Sequence, residues 1–198
     1  MVALLSVITD ETTTVFQWGV VIGASLLAAV SDLRQRRIPN ALTFPLFVAG
    51  LIWAAWQGGL TGAAEALGAG VFVALPFVLL FLFAGGGAGD AKLMGAIGAW
   101  LGLRQGLTAL FCVAIVGGLF ALVRAIGQKK LKLVLTSLYI TVYGFLVSVA
   151  GGRALRREDN QADDAPPQDL YIPYGVAILA GVCAAAAVVW IWGVRWLW

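Results

Sequence analysis

Residues 63–84, AAEALGAGVFVALPFVLLFLFA, form a long apolar run in which Glu65 is the single charged residue. A helix of this length measures about 33 Å at 1.5 Å per residue, which is enough to cross the roughly 30 Å hydrocarbon core of a bilayer. A short soluble chain cannot enclose several runs of this kind in one core. The stretch therefore predicts a membrane-spanning helix.

The composition of the whole chain extends this prediction. Of its 198 residues, 61% are hydrophobic and 12% are charged, whereas soluble domains carry about 25% charged residues. The net charge of +3 comes from few basic residues scattered among apolar runs, so we expect no nucleic-acid partner. We expect an all-α, polytopic membrane protein that has the lipid bilayer as its solvent.

The apolar runs predict six transmembrane helices in a single integral membrane domain over residues 1–198. The predicted spans are 16–31, 41–56, 63–84, 91–103, 106–127 and 172–192. Ahead of the first span the chain has no basic residue, and it carries Asp10 and Glu11. A secretory signal would need a positive leading segment, so we interpret residues 1–15 as a short tail outside the membrane.

Basic residues orient the predicted bundle, because they accumulate in cytoplasmic loops. The first loop, SDLRQRRIPN (31–40), contains three arginines and is therefore placed in the cytoplasm. Six spans then leave 11 of the 13 basic residues on that side, with Arg104 and Arg195 outside. The same count places the N-terminus outside.

The connection 128–171 is expected to be a cytoplasmic loop with an apolar segment of its own at 133–150. That segment either spans the membrane or lies on it as an amphipathic interfacial helix. A seventh span would change the distribution of the 13 basic residues from 11 and 2 to 9 and 4. We therefore favour the interfacial helix.

Asp32 and Asp90 are the acidic residues that suggest chemistry. The chain crosses the membrane twice between them, so both carboxyl groups are expected at the cytoplasmic level. Acidic groups at membrane depth are costly and are most often functional. Two carboxyl groups that share one proton can perform aspartic proteolysis. The alternatives are that Asp90 caps a helix and that Asp32 balances the neighbouring arginines.

The segment around Asp90 supports a recessed site. Four glycines precede Asp90 in AGGGAGDAKL (84–93), where the backbone can approach another helix closely. The following apolar segment, 91–103, would measure only about 20 Å as a helix, which is too short to cross the hydrocarbon core. We therefore expect the loop to dip inward and to place Asp90 in a water-filled recess.

Several other chemistries lack the residues they need. The chain contains no histidine, which excludes imidazole bases and the HExxH zinc motif. Cys112 and Cys183 lie inside apolar runs without a CxxC pair and are interpreted as small buried hydrophobic residues. We expect no metal and no cofactor.

Three motifs resemble those of the type IV prepilin peptidases, which are membrane aspartyl proteases of the GxGD class. Asp32 is followed by Ile38-Pro39-Asn40, then comes GAGDAKL (87–93), and Ile172-Pro173-Tyr174-Gly175 opens the last span. The motifs occur in the family's order, and the likeness covers roughly residues 19–191. The resemblance implies six transmembrane helices, with Asp32 and Asp90 as the catalytic pair and Gly87, Gly89 and Lys92 in supporting roles.

The resemblance also implies a substrate and a location. The family removes the short basic leader from prepilins at the cytoplasmic face of the bacterial inner membrane, so prepilins and the pilus assembly machinery are the expected partners. Larger members carry an additional domain with a cysteine tetrad and methylate the new N-terminus. This sequence looks like the short, peptidase-only form of Flp/Tad-type pili, and methyl transfer is not expected.

Two other functions compete with the peptidase. A proton or ion carrier also uses carboxylates within the membrane, but it needs acidic groups stepped across the bilayer, and Asp32 and Asp90 are expected at one level. A non-catalytic assembly subunit of a pilus or secretion system would need both aspartates to be structural. We favour the peptidase.

Overall fold

The computed structural model describes residues 2–84, 87–127 and 174–191, and these residues form four helices. Helix α1 is Val2–Gln35, α2 is Asn40–Ala84, α3 is Ala88–Gly127 and α4 is Tyr174–Ile191. Each of the four contains a stretch long and apolar enough to cross a membrane. The predicted all-helical membrane protein is thereby confirmed, whereas the count of six separate helices is not supported.

Two of the four helices are too long to be straight spans. At 1.5 Å per residue, the 45 residues of α2 would extend about 68 Å, more than twice the hydrocarbon thickness. The backbone departs from helical geometry at Gly59 in α2, where φ is 63°, and at Gly102 in α3, where φ is 70°. Both positions are close to breaks between predicted spans, although Gly102 lies inside the predicted span 91–103.

The chain reverses its direction at both glycines. A Cβ atom built on Gly70 would lie 2.9 Å from the ring of Phe47, although these residues would be far apart in a straight helix. In α3, a Cβ atom on Gly106 would lie 3.4 Å from the Cα atom of Gly98. The two halves of each long helix therefore fold back on one another, and both ends of α2 lie on the side of the bundle where α3 begins.

Small residues allow the helices to approach closely. A Cβ atom on Gly70 would lie 2.8 Å from the carbonyl oxygen of Gly95, and one on Gly98 would lie 2.8 Å from that of Ala69. In the same way, a Cβ atom on Gly181 of α4 would overlap the backbone of Val113 in α3. Such contacts between small residues are typical of helix pairs in membranes, where dispersion rather than water exclusion drives packing.

The outer surface of the bundle is apolar. Trp56, Leu60 and Leu82 are 87%, 90% and 65% exposed, which is the distribution expected when lipid rather than water surrounds the helices. Cys183 is also exposed, so its prediction as a buried residue is wrong, while Cys112 is partly buried. A cysteine on a lipid-facing helix surface needs no protein partner.

Two further predictions need correction or lie outside the described part of the chain. Helix α1 begins at Val2, so the expected short tail is helical, because the apolar residues 2–8 extend the helix toward the N-terminus. The predicted loop 128–171, including the segment 133–150, lies outside the described residues.

Candidate active site

Asp32 lies in the last turn of α1 and is only 4% exposed. The helix ends just beyond it, because Arg36 adopts a left-handed conformation with φ of 53°. The Arg36 N–H donates a 2.8 Å hydrogen bond to the carbonyl oxygen of Asp32, which closes the helix as a left-handed C-terminal cap does. Pro39 follows soon after and cannot continue the helix. The carboxyl group is thus held at one end of the bundle.

Asp90 is the third residue of α3 and lies within its first turn, so the structure does not support the alternative that it precedes the helix as a cap. Its N–H donates a 3.2 Å hydrogen bond to the carbonyl oxygen of Gly87. The side chain turns back over the same glycine, since a Cβ atom on Gly87 would lie 2.6 Å from Asp90 Oδ2. Gly87 therefore provides the space that the Asp90 carboxyl group occupies.

The loop after α1 packs against the start of α3. A Cβ atom on Gly89 would lie 2.9 Å from the Cβ atom of Ile38 and 3.3 Å from its carbonyl oxygen. Beside this contact, Lys92 Nζ donates a 2.8 Å hydrogen bond to Asn40 Oδ1. These two contacts hold the Ile38-Pro39-Asn40 motif against the GAGDAKL motif.

The first turn of α4 completes the site. The Gly175 N–H donates a 2.8 Å hydrogen bond to Asp32 Oδ2 across 143 residues of chain. Gly175 lies so close to α1 that a Cβ atom on it would be 2.9 Å from the Cβ atom of Asp32 and 3.1 Å from the Cα atom of Ala29. Tyr174, the preceding residue, is within electrostatic range of the Asp90 carboxyl group.

The two predicted acidic residues come together at one end of the bundle. The loop that follows Asp32 packs against the start of α3, which places the Asp90 carboxyl group within electrostatic range of Asp32. Two neighbouring carboxyl groups of which one is buried cannot both ionise cheaply, so they are suited to share a proton. Such a pair can take a proton from water with one member and donate a proton with the other.

The sequence predicted no role for three residues of this site. Asn40 accepts a hydrogen bond from Lys92, and Gly175 donates one to Asp32, whereas Tyr174 lies within electrostatic range of Asp90. All three belong to the motifs. The motifs were the available signal. What they could not supply was the partner of each residue, because every one of these contacts joins segments distant in the chain.

A second polar feature lies at the opposite end of the bundle. A cavity of about 750 Å³ is lined there by Gly102 at one chain reversal and by Gln57, close to the other. Glu65, Arg104 and Gln105 also line it, whereas Asp32 and Asp90 do not. No three metal-ligating side chains cluster within residues 2–84, 87–127 and 174–191. Because its lining includes neither Asp32 nor Asp90, the cavity is separate from the carboxyl pair.

The fold and the site together define a helical membrane protein with two neighbouring carboxyl groups at one end of its bundle. Residues 19–122, just over half of the chain, match the model of the type IV leader peptidase family. The chain belongs to this family.

Curated relatives carry the same family identity. The chain is 29% identical to the prepilin leader peptidase/N-methyltransferase of Xanthomonas campestris pv. campestris over 67% of its own length and 50% of the relative. It is 30% identical to the protein of that name from Aeromonas salmonicida, over 79% of the chain and 58% of the relative. A protein of the same name from Burkholderia pseudomallei is 34% identical over 50% of the chain and 35% of the relative.

The chain thus spans about half the length of the curated relatives that it matches. No solved structure matches the chain significantly.

Proposed function

We propose that this protein is a prepilin leader peptidase that hydrolyses the leader peptide bond with Asp32 and Asp90. The observation that carries the proposal is the meeting of these two carboxyl groups at one end of the bundle, each held by residues of the family's motifs. Family membership supplies the reaction class, and the carboxyl pair supplies groups able to perform it.

The proposed reaction needs one ionised and one protonated carboxyl group. The carboxylate removes a proton from water as the water oxygen attacks the scissile carbonyl carbon, and the carboxylic acid donates its proton to the carbonyl oxygen. The product of this step is a gem-diol. When the C–N bond breaks, the first group returns its proton to the leaving nitrogen. The second group takes a proton from a diol hydroxyl, which restores the pair.

Three neighbouring residues support the pair in this proposal without touching the substrate. Gly87 leaves room for the Asp90 side chain, and Gly89 allows α3 to begin directly against Ile38. Lys92 fixes the start of α3 to Asn40. Each contact limits the movement of Asp90 relative to Asp32, and reactions of this kind lose rate steeply when reacting groups are misplaced.

The chain reversals support a six-span arrangement as part of the proposal. Gly59 and Gly102 divide α2 and α3 into two segments each, which together with α1 and α4 gives six segments among the described residues. In our proposal these segments are six crossings of one domain over 1–198. The distribution of basic residues then places the carboxyl pair on the cytoplasmic face of a bacterial inner membrane, with the N-terminus outside. Prepilins would reach the site from the membrane, with the leader on the cytoplasmic side.

Methyl transfer is a separate activity in the names of the relatives. Our proposal is confined to the peptidase, and the absence of methyl transfer stays a prediction from the sequence. Incubating the cleaved pilin with a methyl donor and measuring the mass of its N-terminus tests it.

The proposal is tested by expressing the protein with a prepilin in membranes and following leader removal by mass. Asp32→Asn and Asp90→Asn should each lower the rate by about three orders of magnitude or more, because the pair acts as a unit. Glu65→Gln is the matched control, since it removes a carboxylate at the opposite end of the bundle. Wild-type cleavage by either aspartate variant would refute the mechanism. Dead variants that still assemble pili would identify a second peptidase in the cell.

A further inference from the structure

The hydrogen bond between Gly175 and Asp32 distinguishes the two members of the carboxyl pair. Gly175 is the second residue of α4, and the N–H groups of the first helical turn have no partner within the helix. This N–H is free to bind a carboxylate, and it points at Asp32 Oδ2 at 2.8 Å. The positive end of the helix dipole adds to the attraction for a negative charge. The backbone N–H of Asp90, which also lies in the first turn of a helix, donates to the carbonyl oxygen of Gly87.

Helix α4 is held firmly in the place that this bond requires. Gly181 packs against the backbone of Val113 in α3, and Gly175 packs against Ala29 in α1. Ile178 and Val182, between and beside these glycines, are fully buried. Because α4 is wedged between α1 and α3 without room for a Cβ atom at either glycine, its first turn cannot withdraw from Asp32 without separating the helices.

We infer that Gly175 is a positioning residue whose N–H makes Asp32 the ionised member of the pair and leaves the shared proton on Asp90. This inference rests on the proposed peptidase function. Asp32 is then the group that takes a proton from water, and Asp90 is the group that donates a proton to the scissile carbonyl oxygen. Tyr174, in the same turn, lies near the Asp90 end of the pair.

Basic residues lie close to both members of the pair in the chain. Arg34, Arg36 and Arg37 follow Asp32, and Lys92, whose Nζ is bound to Asn40, follows Asp90. Tyr174 on α4 is neutral at ordinary pH. The Gly175 N–H donates to one carboxyl oxygen of Asp32.

An amide-to-ester exchange at residue 175 removes this donor without adding a side chain. Cell-free synthesis into lipid nanodiscs can place glycolic acid at this position. Because a hydrogen bond to a charged acceptor is lost, kcat should fall about 10- to 100-fold with KM unchanged. The acidic limb of the pH–rate profile should move to higher pH, since the ionised member of the pair has then lost a hydrogen-bond donor. The matched control is the same exchange at Val176, whose N–H belongs to the same turn.

Infrared difference spectra of the intact protein at neutral pH provide a measurement that does not depend on altering α4. The carboxylic acid band of the pair should disappear in Asp90→Asn and persist in Asp32→Asn. Loss of the band in Asp32→Asn with persistence in Asp90→Asn would overturn the inference. Equal activity of the proteins with the ester at residue 175 and at residue 176 would also overturn the inference. Either result would leave the peptidase proposal standing. Full cleavage by Asp32→Asn or Asp90→Asn would instead refute the peptidase proposal itself.

Discussion

Lys92 of α3 donates a 2.8 Å hydrogen bond to the side chain of Asn40, the first residue of α2, across 52 residues of chain. The bond lies two residues after Asp90 and beside the contact of Gly89 with Ile38. It therefore ties the loop that follows Asp32 to the helix that carries Asp90. Both side chains are exposed, so the bond serves to fix geometry more than to stabilise the fold.

Removing either partner of this bond should loosen the carboxyl pair. We expect Lys92→Met and Asn40→Ala each to lower kcat/KM about 3- to 10-fold, the rate equivalent of a surface hydrogen bond of about 1 kcal/mol. The kcat/KM of the double variant should be no lower than that of the less active single variant, because both changes break the same contact. Cleavage kinetics of the four proteins test this. A large loss in Lys92→Met alone would mean that Lys92 acts through its charge.

Gly87→Ala should damage activity while leaving the fold intact. The new methyl group would lie 2.6 Å from Asp90 Oδ2, so the carboxyl group would have to move. A displacement of about 1 Å can cost about 100-fold in rate, whereas Gly87 itself is exposed and buries nothing. Cleavage rate and thermal unfolding in detergent separate the two effects. Gly118→Ala, which adds a methyl group in open space, should retain full activity.

The chain reversal in α3 should depend on Gly102. Its φ of 70° and ψ of −177° lie in a region open essentially to glycine alone, which costs other residues about 1–3 kcal/mol. No atom lies within 4 Å of a Cβ built there, so the loss of stability in Gly102→Ala would come from the backbone. Gly118→Ala is the control, and at a helical position it should be neutral or slightly stabilising. Equal unfolding free energies of the Gly102→Ala and Gly118→Ala proteins would contradict the requirement for glycine at the reversal.

A buried hydrogen bond joins α1 to the second half of α3. Trp18 Nε1 donates to Gln105 Oε1 at 2.8 Å, and the two side chains are 2% and 8% exposed. Gln105→Met should lower the free energy of unfolding by about 1–3 kcal/mol, because it leaves the indole N–H unpaired. Adding Trp18→Phe should recover part of this loss by removing the orphaned donor. Denaturant titration of the three variants in detergent measures the coupling, and strict additivity would contradict it.

Hydropathy and the order of the motifs were sufficient to predict the class of protein and the side of the bundle on which both aspartates lie. The apolar run 63–84 predicted a membrane protein, and the parity of the crossings between Asp32 and Asp90 predicted that both reach the same end of the bundle. These inferences succeed because hydrophobicity is a sum over local residues and the direction of the chain depends only on the number of crossings. The break between 56 and 63 likewise coincides with the reversal at Gly59.

Tertiary structure decided which residue each motif residue contacts. The predicted span began at residue 91, whereas α3 begins at Ala88 and includes Asp90 in its first turn. The Asp90 side chain there occupies space that a Cβ atom on Gly87 would fill. The sequence also could not direct the Gly175 N–H at Asp32, 143 residues away. That bond depends on how closely α4 fits between α1 and α3. Such a fit is a property of the packed helices together, because it arises from the shapes of facing surfaces and from the absence of side chains at Gly175 and Gly181.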